Sequence, residues 1–192
     1  MTTSAHNMNL KPINFDSSWS LFLDRDGVIN HKLHNDYVKH WNEFRFLDGV
    51  LTALKLFAQK FQHIVVVTNQ QGIGKGFYSE DDLQQIHTQM LHEVEKSEGR
   101  IDKIYFCPAL AAENSPNRKP NTGMALQAQK DFPEIDFKKS IIVGDSISDM
   151  EFGKRLGMTT IFVSQNEDAI RSHPSLIDAQ FESLAAFSQL LV

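Results

Sequence analysis

The stretch LFLDRDGV at residues 21–28 decides the fold. Its apolar start is typical of a strand that is buried on both faces of a parallel sheet. Gly27 allows a sharp turn where the strand ends, which places Asp24 and Asp26 at the carboxyl end of a strand, where open α/β sheets bind ligands. Two carboxylates this close repel each other unless a cation or a proton intervenes, so the pair indicates a metal or catalytic site more strongly than a plain turn.

The composition is typical of a globular protein without a membrane span. The chain has 192 residues, of which 41% are hydrophobic and 22% charged, and its net charge of −5 disfavours a surface built for nucleic acid. Cys107 is the single cysteine, so an intrachain disulfide is excluded and a cytoplasmic location is favoured. Residues 1–18 lack the pattern of a signal peptide. We predict a flexible arm over residues 1–18 and a single domain over residues 19–192.

Short apolar runs alternate with helical periods after residue 20. Strands are predicted at 21–24, 64–68, 104–107, 141–145 and 160–163, and helices at 48–60, 79–97, 121–131, 147–156 and 182–191. This alternation favours right-handed crossovers and a doubly wound parallel sheet. No helix shows a second apolar stripe, which favours a monomer.

Two other predicted strands also end in polar residues. The second is followed by Thr-Asn-Gln at residues 68–70, whose donors suit phosphate oxygens. The fourth ends at Asp145, and Asp149 follows one helical turn later. Arg-Lys-Pro at 118–120 adds two cations before a predicted helix. Together these segments predict one crevice with carboxylates for a divalent ion and cations for an anionic substrate.

Four segments carry a resemblance to a known superfamily. DRDG at 24–27, TNQ at 68–70, RKP at 118–120 and GDSISD at 144–149 are similar, in order, to the four motifs of the haloacid dehalogenase (HAD) superfamily. More narrowly, the chain resembles the branch that holds D-glycero-D-manno-heptose 1,7-bisphosphate 7-phosphatases and histidinol-phosphate phosphatases. The resemblance implies a Rossmann-like HAD fold. The short gaps between the motifs leave no room for a separate cap domain.

The resemblance implies catalytic roles for four residues. Asp24 would attack phosphorus and form an aspartyl-phosphate. Asp26 would protonate the leaving alcohol and later deprotonate the attacking water. Thr68 would donate to a phosphoryl oxygen, and Lys119 would stabilise the charge of the transition state.

The resemblance also implies a magnesium site and a set of substrate contacts. Mg²⁺ would bind the Asp24 carboxylate, the Asp26 backbone carbonyl and Asp145, while Asp149 would lie in a second layer. The loop at 30–45 is the predicted lid. The predicted substrate contacts are Arg25, Asn69, Gln70, Arg118, His34 and Tyr37.

One element of the branch is missing from this chain. Its relatives carry a zinc loop with Cys-x-His followed by Cys-x-Cys, but here Ala109 follows Cys107 at the histidine position and residues 111–117 contain no cysteine. One cysteine cannot assemble such a site, so no structural zinc is predicted. The predicted partner is a small phosphorylated metabolite, first of all a sugar bisphosphate.

Several alternatives stay open at this point. The segments at 68–76 and 118–124 also resemble the phosphatase domain of polynucleotide kinase 3′-phosphatases. The net charge and the absence of a basic stripe disfavour a nucleic-acid substrate. Histidinol phosphate is a further candidate substrate. A non-catalytic binder of a phosphorylated ligand is the alternative from another class, and it is disfavoured because each residue that the chemistry needs is present.

Overall fold

Six parallel strands form the centre of the protein, which a computed structural model describes over residues 16–164 and 167–191. The strands are β1 (Ser20–Leu23), β2 (His63–Asn69), β3 (Lys103–Cys107), β4 (Ser140–Gly144), β5 (Thr159–Val163) and β6 (Ala179–Phe181). The helices are α1 (Val50–Lys60), α2 (Gln71–Gly74), α3 (Glu80–Lys96), α4 (Gly123–Asp131), α5 (Ile147–Leu156), α6 (Glu167–Ser172) and α7 (Leu184–Ser188).

The predicted doubly wound parallel sheet is confirmed. The five predicted strands are present, each within two residues of its expected bounds, whereas β6, α2 and α6 were not predicted. The predicted helix at 182–191 is α7 followed by a 3₁₀ turn at Gln189–Leu191. The predicted arm lies largely outside the described residues, so the boundary at residue 19 remains a prediction.

Alternating side chains of β1 enter two different cores. Leu21 and Leu23 pack with α1 and α7 on one face of the sheet, and Phe22 packs with α4 on the other. All three side chains are fully buried. A strand that is covered on both faces needs apolar residues at every position, which explains the continuous apolar run before Asp24.

The strand order places the polar strand ends together. The order is β3-β2-β1-β4-β5-β6, so successive strands are added on one side of β1 up to β3 and on its other side from β4 onward. Leu23 pairs with Val66 of β2 and with Val143 of β4, which brings the residues after these strands to one edge. Such a switch point is where open α/β sheets form their ligand crevice. Among the described residues, no cap domain interrupts the sheet and no helix has the length and apolarity to cross a membrane.

Candidate active site

Asp24 and Lys119 form the buried centre of the crevice. Asp24 is 8% exposed and Lys119 is 3% exposed. The Lys119 Nζ lies 2.9 Å from the Asp24 Oδ1 and 2.6 Å from the Asp149 Oδ1, and it donates to the Val67 carbonyl at 2.6 Å. Burial acts to lower the pKa of Lys119, but the two carboxylates outweigh this and raise it. Lys119 therefore keeps its positive charge beside Asp24.

Two glycines allow the other carboxylates to approach. A Cβ at Gly27, whose φ is +90°, would lie 2.2 Å from the Asp145 Oδ2, and a Cβ at Gly144 would lie 2.2 Å from the Asp149 Cβ. Asp149 is also held by the N-terminus of α5, where its Oδ2 accepts from the Ser146 hydroxyl at 2.6 Å and from the Ser146 backbone at 3.1 Å. Glycine is therefore required at these two positions by the close packing of the site.

The carboxylates carry more negative charge than the adjacent cations balance. Ligand oxygens of Asp24, Asp145 and Asp149 lie within 4.8 Å of one another. Burial is the largest cause that raises the pKa of Asp24, and the neighbouring carboxylates raise it further. The charge of Lys119 opposes them, and the resulting pKa is about 7. Burial also raises the pKa of Asp145, whose Oδ1 is buried without a hydrogen-bond partner among the described residues.

This donor set fits a hard divalent cation. Mg²⁺ takes oxygen ligands and prefers carboxylates that retain waters around the ion. The unpartnered Asp145 oxygen and the excess of negative charge are both satisfied by such an ion. Asp24 and Asp145, the two side chains predicted to bind Mg²⁺, lie close together. The Asp149 side chain also lies in this cluster, but Lys119 and Ser146 already bind it.

Asp26 lies beside this cluster in a separate hydrogen-bond network. Arg25 donates from Nη2 to both Asp26 oxygens at 3.0 and 2.9 Å. Asn30 donates to its Oδ1 at 2.9 Å, and Gln70 donates to its Oδ2 at 3.0 Å. Burial acts to raise the pKa of Asp26. The Arg25 charge and these hydrogen bonds outweigh burial and hold that pKa below its usual value.

Three residues predicted to contact substrate line the cavity and also bind other residues of the site. Arg25 is fully buried and binds Asp26, so its guanidinium is not available to a substrate. Asn69 accepts from the Lys119 backbone N–H at 3.0 Å and donates to the Lys119 carbonyl at 3.1 Å, which fixes the chain that carries the lysine. Gln70 is 1% exposed and donates to Asp26 and to the Thr68 hydroxyl. The Arg25 guanidinium is therefore excluded as a substrate contact, whereas contact by Asn69 and Gln70 remains a prediction.

The remaining predicted contacts divide between the cavity and the surface. Arg118 and Tyr37 line a cavity of about 260 Å³ that also includes Asp24 and Asp145. Arg118 donates to the Ala109 carbonyl at 3.2 Å. His34 is exposed and does not line this cavity, so the structure does not bring it into the site.

Part of the predicted lid forms the wall of the cavity. Residues 36–38 line it, whereas Trp41 and Phe44 stack at 4.9 Å and pack the far end of the loop onto the core. Movement of this loop remains a prediction.

Four residues of the site were not predicted. Lys32 forms an ion pair with the Asp145 Oδ2 at 2.7 Å, and Asn30 holds Asp26. The Tyr78 hydroxyl donates to the Gln70 Oε1 at 2.5 Å, and His87 lies 3.2 Å from Arg25. The one signal in the sequence was that His87 lies among the apolar positions Leu83, Ile86 and Met90 of α3, since a buried polar group needs a hydrogen-bond partner.

The segment that replaces the zinc loop is held by hydrogen bonds. The buried Cys107 Sγ lies 3.7 Å from the Ser115 hydroxyl. Asn121 donates to the Ser115 carbonyl at 2.9 Å, and Arg118 donates to Ala109 across the loop. Among the described residues, the group of potential metal ligands is the carboxylate cluster rather than this loop. The absence of zinc remains a prediction.

Comparisons with known proteins agree with the motifs. The family described as polynucleotide kinase 3 phosphatase matches residues 20–182. The D-glycero-alpha-D-manno-heptose-1,7-bisphosphate 7-phosphatase of Mycobacterium bovis is 36% identical over 170 residues, which cover 88% of this chain and 90% of the relative. The enzyme of the same name from Campylobacter jejuni is 40% identical over 148 residues, or 77% of this chain and 83% of the relative.

A solved structure supports the same assignment. The D,D-heptose 1,7-bisphosphate phosphatase from B. bronchiseptica, complexed with magnesium and phosphate, aligns with a TM-score of 0.82 and 28% identity. The alignment covers 90% of this chain and 97% of that chain. By its matched residues, its relatives and its fold, this chain belongs to the polynucleotide kinase 3 phosphatase family within the HAD superfamily.

Proposed function

We propose that this protein is a Mg²⁺-dependent phosphomonoesterase that removes the 7-phosphate of a D-glycero-D-manno-heptose 1,7-bisphosphate. The observation that carries the chemistry is the pairing of buried Asp24 with Lys119, next to a separately held Asp26. The substrate is supported by relatives of that name at 36–40% identity. The cavity of about 260 Å³ suits a small metabolite.

Asp24 is the nucleophile in this mechanism. Its Oδ1 accepts from the Arg25 backbone N–H at 2.7 Å and pairs with Lys119, which fixes the carboxylate at the cavity floor. A carboxylate oxygen forms a bond to phosphorus while the bond from phosphorus to the sugar oxygen breaks. Lys119 and the Thr68 hydroxyl would stabilise the negative charge that accumulates on the phosphoryl oxygens.

Asp26 moves the proton in both steps. It donates a proton to the departing sugar oxygen and later takes one from the water that attacks phosphorus, which releases phosphate and regenerates Asp24. Its lowered pKa in the free protein favours the ionised form, which is the form that can accept a proton in the second step. The negative charge of the incoming phosphate raises that pKa on binding and favours the protonated form for the first step.

Asp24, Asp145 and the Asp26 backbone carbonyl would hold Mg²⁺, with Asp149 supporting the site through Lys119 and Ser146. When bound, the ion supplies positive charge that offsets repulsion between the anionic nucleophile and the anionic substrate. We also propose that the protein acts as a cytoplasmic monomer without structural zinc. Elemental analysis of the purified protein tests the absence of zinc, and its sedimentation tests the monomeric state.

A polynucleotide 3′-phosphatase activity is the second candidate, because the matched family carries that description. Turnover of both anomers of the heptose bisphosphate, histidinol phosphate and a 3′-phosphorylated oligonucleotide, each with Mg²⁺, separates the candidates. We expect the bisphosphate to be preferred and Asp24→Asn to abolish turnover. Asp81→Asn, on the exposed face of α3, is the matched control. Preference for the oligonucleotide would replace the first proposal with the second, and activity that survives Asp24→Asn would refute the mechanism.

A further inference from the structure

The guanidinium of Arg25 is a fully buried charge behind the candidate proton-transfer group. Its Nη2 donates to both oxygens of Asp26, and its Nε has no hydrogen-bond partner among the described residues. A buried charge is costly unless it is paired and hydrogen-bonded, and a guanidinium directs its donors in a rigid plane. The contacts of Nη1 therefore decide how firmly that plane is oriented.

His87 provides the second anchor of this guanidinium. It lies on α3, is 3% exposed, and its Nε2 lies 3.2 Å from the Arg25 Nη1. Burial, followed by the charge of Arg25, lowers the pKa of His87 to about 3. The imidazole is therefore neutral at physiological pH, and a neutral ring nitrogen can accept the hydrogen bond that Arg25 donates. The Phe106 ring forms a T-shaped pair with the same imidazole, with the ring centroids 6.4 Å apart.

We propose that His87 is a positioning residue for Asp26, because it accepts a hydrogen bond from Arg25 and so fixes the guanidinium that holds the Asp26 carboxylate. This inference rests on the proposed function, since it assumes that Asp26 transfers the proton. His87 touches neither the cavity nor the carboxylate cluster. It acts through Arg25, in the same way as Tyr78 acts through Gln70, which also donates to Asp26.

The geometry distinguishes this role from ordinary core packing. The neighbours of His87 on the stripe of α3, Leu83, Ile86 and Met90, are apolar and fully buried. A packing role would be satisfied by another apolar residue at position 87. An acceptor is needed at position 87 because the Nη1 of Arg25 directs its N–H into this part of the core. The contact of Arg25 with the Gln70 Oε1, at 3.4 Å, is made by Nη2 and does not supply that acceptor.

Two variants of nearly equal shape test the proposal. His87→Gln keeps an acceptor at about the distance of Nε2, whereas His87→Met fills the same space without a strong one. Both residues are good helix formers, so α3 is preserved. His92→Met, on the exposed face of the same helix, is the matched control. Denaturation midpoints confirm that each variant is folded before its kinetics are compared.

We expect His87→Met to lower kcat for the sugar bisphosphate by about 10- to 100-fold, with KM changed by less than about 2-fold, because a displaced acid–base group loses much of its contribution. His87→Gln is expected to retain kcat within about 3-fold of the wild-type value, and His92→Met within about 2-fold. Equal losses in the Gln and Met variants, or a loss confined to KM, would overturn the proposal.

A second substrate isolates the proton-transfer step. The p-nitrophenolate ion leaves without a proton, so the pre-steady-state burst with p-nitrophenyl phosphate does not depend on Asp26. We expect this burst rate in His87→Met to stay within about 3-fold of the wild-type rate. A burst that falls as far as the alkyl phosphate kcat would overturn the positioning role. If the wild type ignores the heptose bisphosphate but the variants still differ in turnover of another alkyl phosphate, then the proposed substrate is wrong and the positioning role stands.

Discussion

Replacement of Lys119 by methionine tests the electrostatic centre of the site. The ammonium group of Lys119 makes three contacts at 2.6–2.9 Å, two of them with buried carboxylates. Removal of one partner of a buried ion pair typically costs about 3–5 kcal/mol, because the remaining charge is left uncompensated. We therefore expect Lys119→Met to lower the free energy of unfolding by about 3–5 kcal/mol at neutral pH.

The matched control is Lys154→Met, which removes a partly exposed ion pair with Asp178. Such pairs contribute about 0–1 kcal/mol, so the control is expected to lie close to the wild type. Urea denaturation, followed by circular dichroism in the presence of a chelator, measures both values. Asp149→Asn in the Lys119→Met background is expected to recover part of the loss, since it removes one uncompensated charge. A loss for Lys119→Met no larger than that of Lys154→Met would refute the reasoning.

Three further predictions concern the metal and the protons of the site. Mg²⁺ at about 100 times its Kd is expected to add about 2.7 kcal/mol to the free energy of unfolding, and Asp145→Asn is expected to abolish this gain. Denaturation curves with and without the ion measure both effects. Gly27→Ala is expected to weaken Mg²⁺ binding by about 10-fold or more in calorimetry, since its Cβ would displace Asp145; unchanged affinity would contradict the steric argument. The pKa of Asp24 is raised from 3.8 to about 7, so between these two pH values the native state binds more protons than the unfolded chain does. The stability of the metal-free wild type relative to Asp24→Asn is therefore expected to fall by roughly 1 kcal/mol for each unit that the pH rises from about 4 to about 7. A stability difference that does not change with pH would show that burial does not raise the pKa of Asp24.

The positions of the reactive groups could be predicted because they depend on few assumptions. A continuous apolar run such as residues 21–23 predicts a strand in a parallel sheet, and such strands end at a common edge. Asp24, Asp145 and Lys119 therefore lie where the sequence predicts them. The strand β6 was missed because three residues, Ala-Gln-Phe, carry no recognisable apolar run.

The orientation of neighbouring polar side chains could not be predicted in the same way. Arg25 and Gln70 lie at strand ends, where either the cavity or the protein interior is within reach of a long side chain. Arg25 contacts His87, which lies 62 residues further along the chain, and Gln70 contacts Tyr78, which lies eight residues on and outside the motif. Spacing within a motif contains no information about such partners, so the sequence could not predict that both side chains donate to Asp26.

The opposite pKa shifts of Asp24 and Asp26 follow from the same separation of surroundings. Asp24 shares its low-dielectric site with other carboxylates, which favours the protonated form in the metal-free protein. Asp26 faces a guanidinium and amide donors, which favour the ionised form. A bound divalent cation would reverse this order, because its charge would stabilise the ionised form of Asp24, while an incoming phosphate would favour protonation of Asp26. Two carboxylates one residue apart can thus serve as nucleophile and proton carrier because each has a different set of partners.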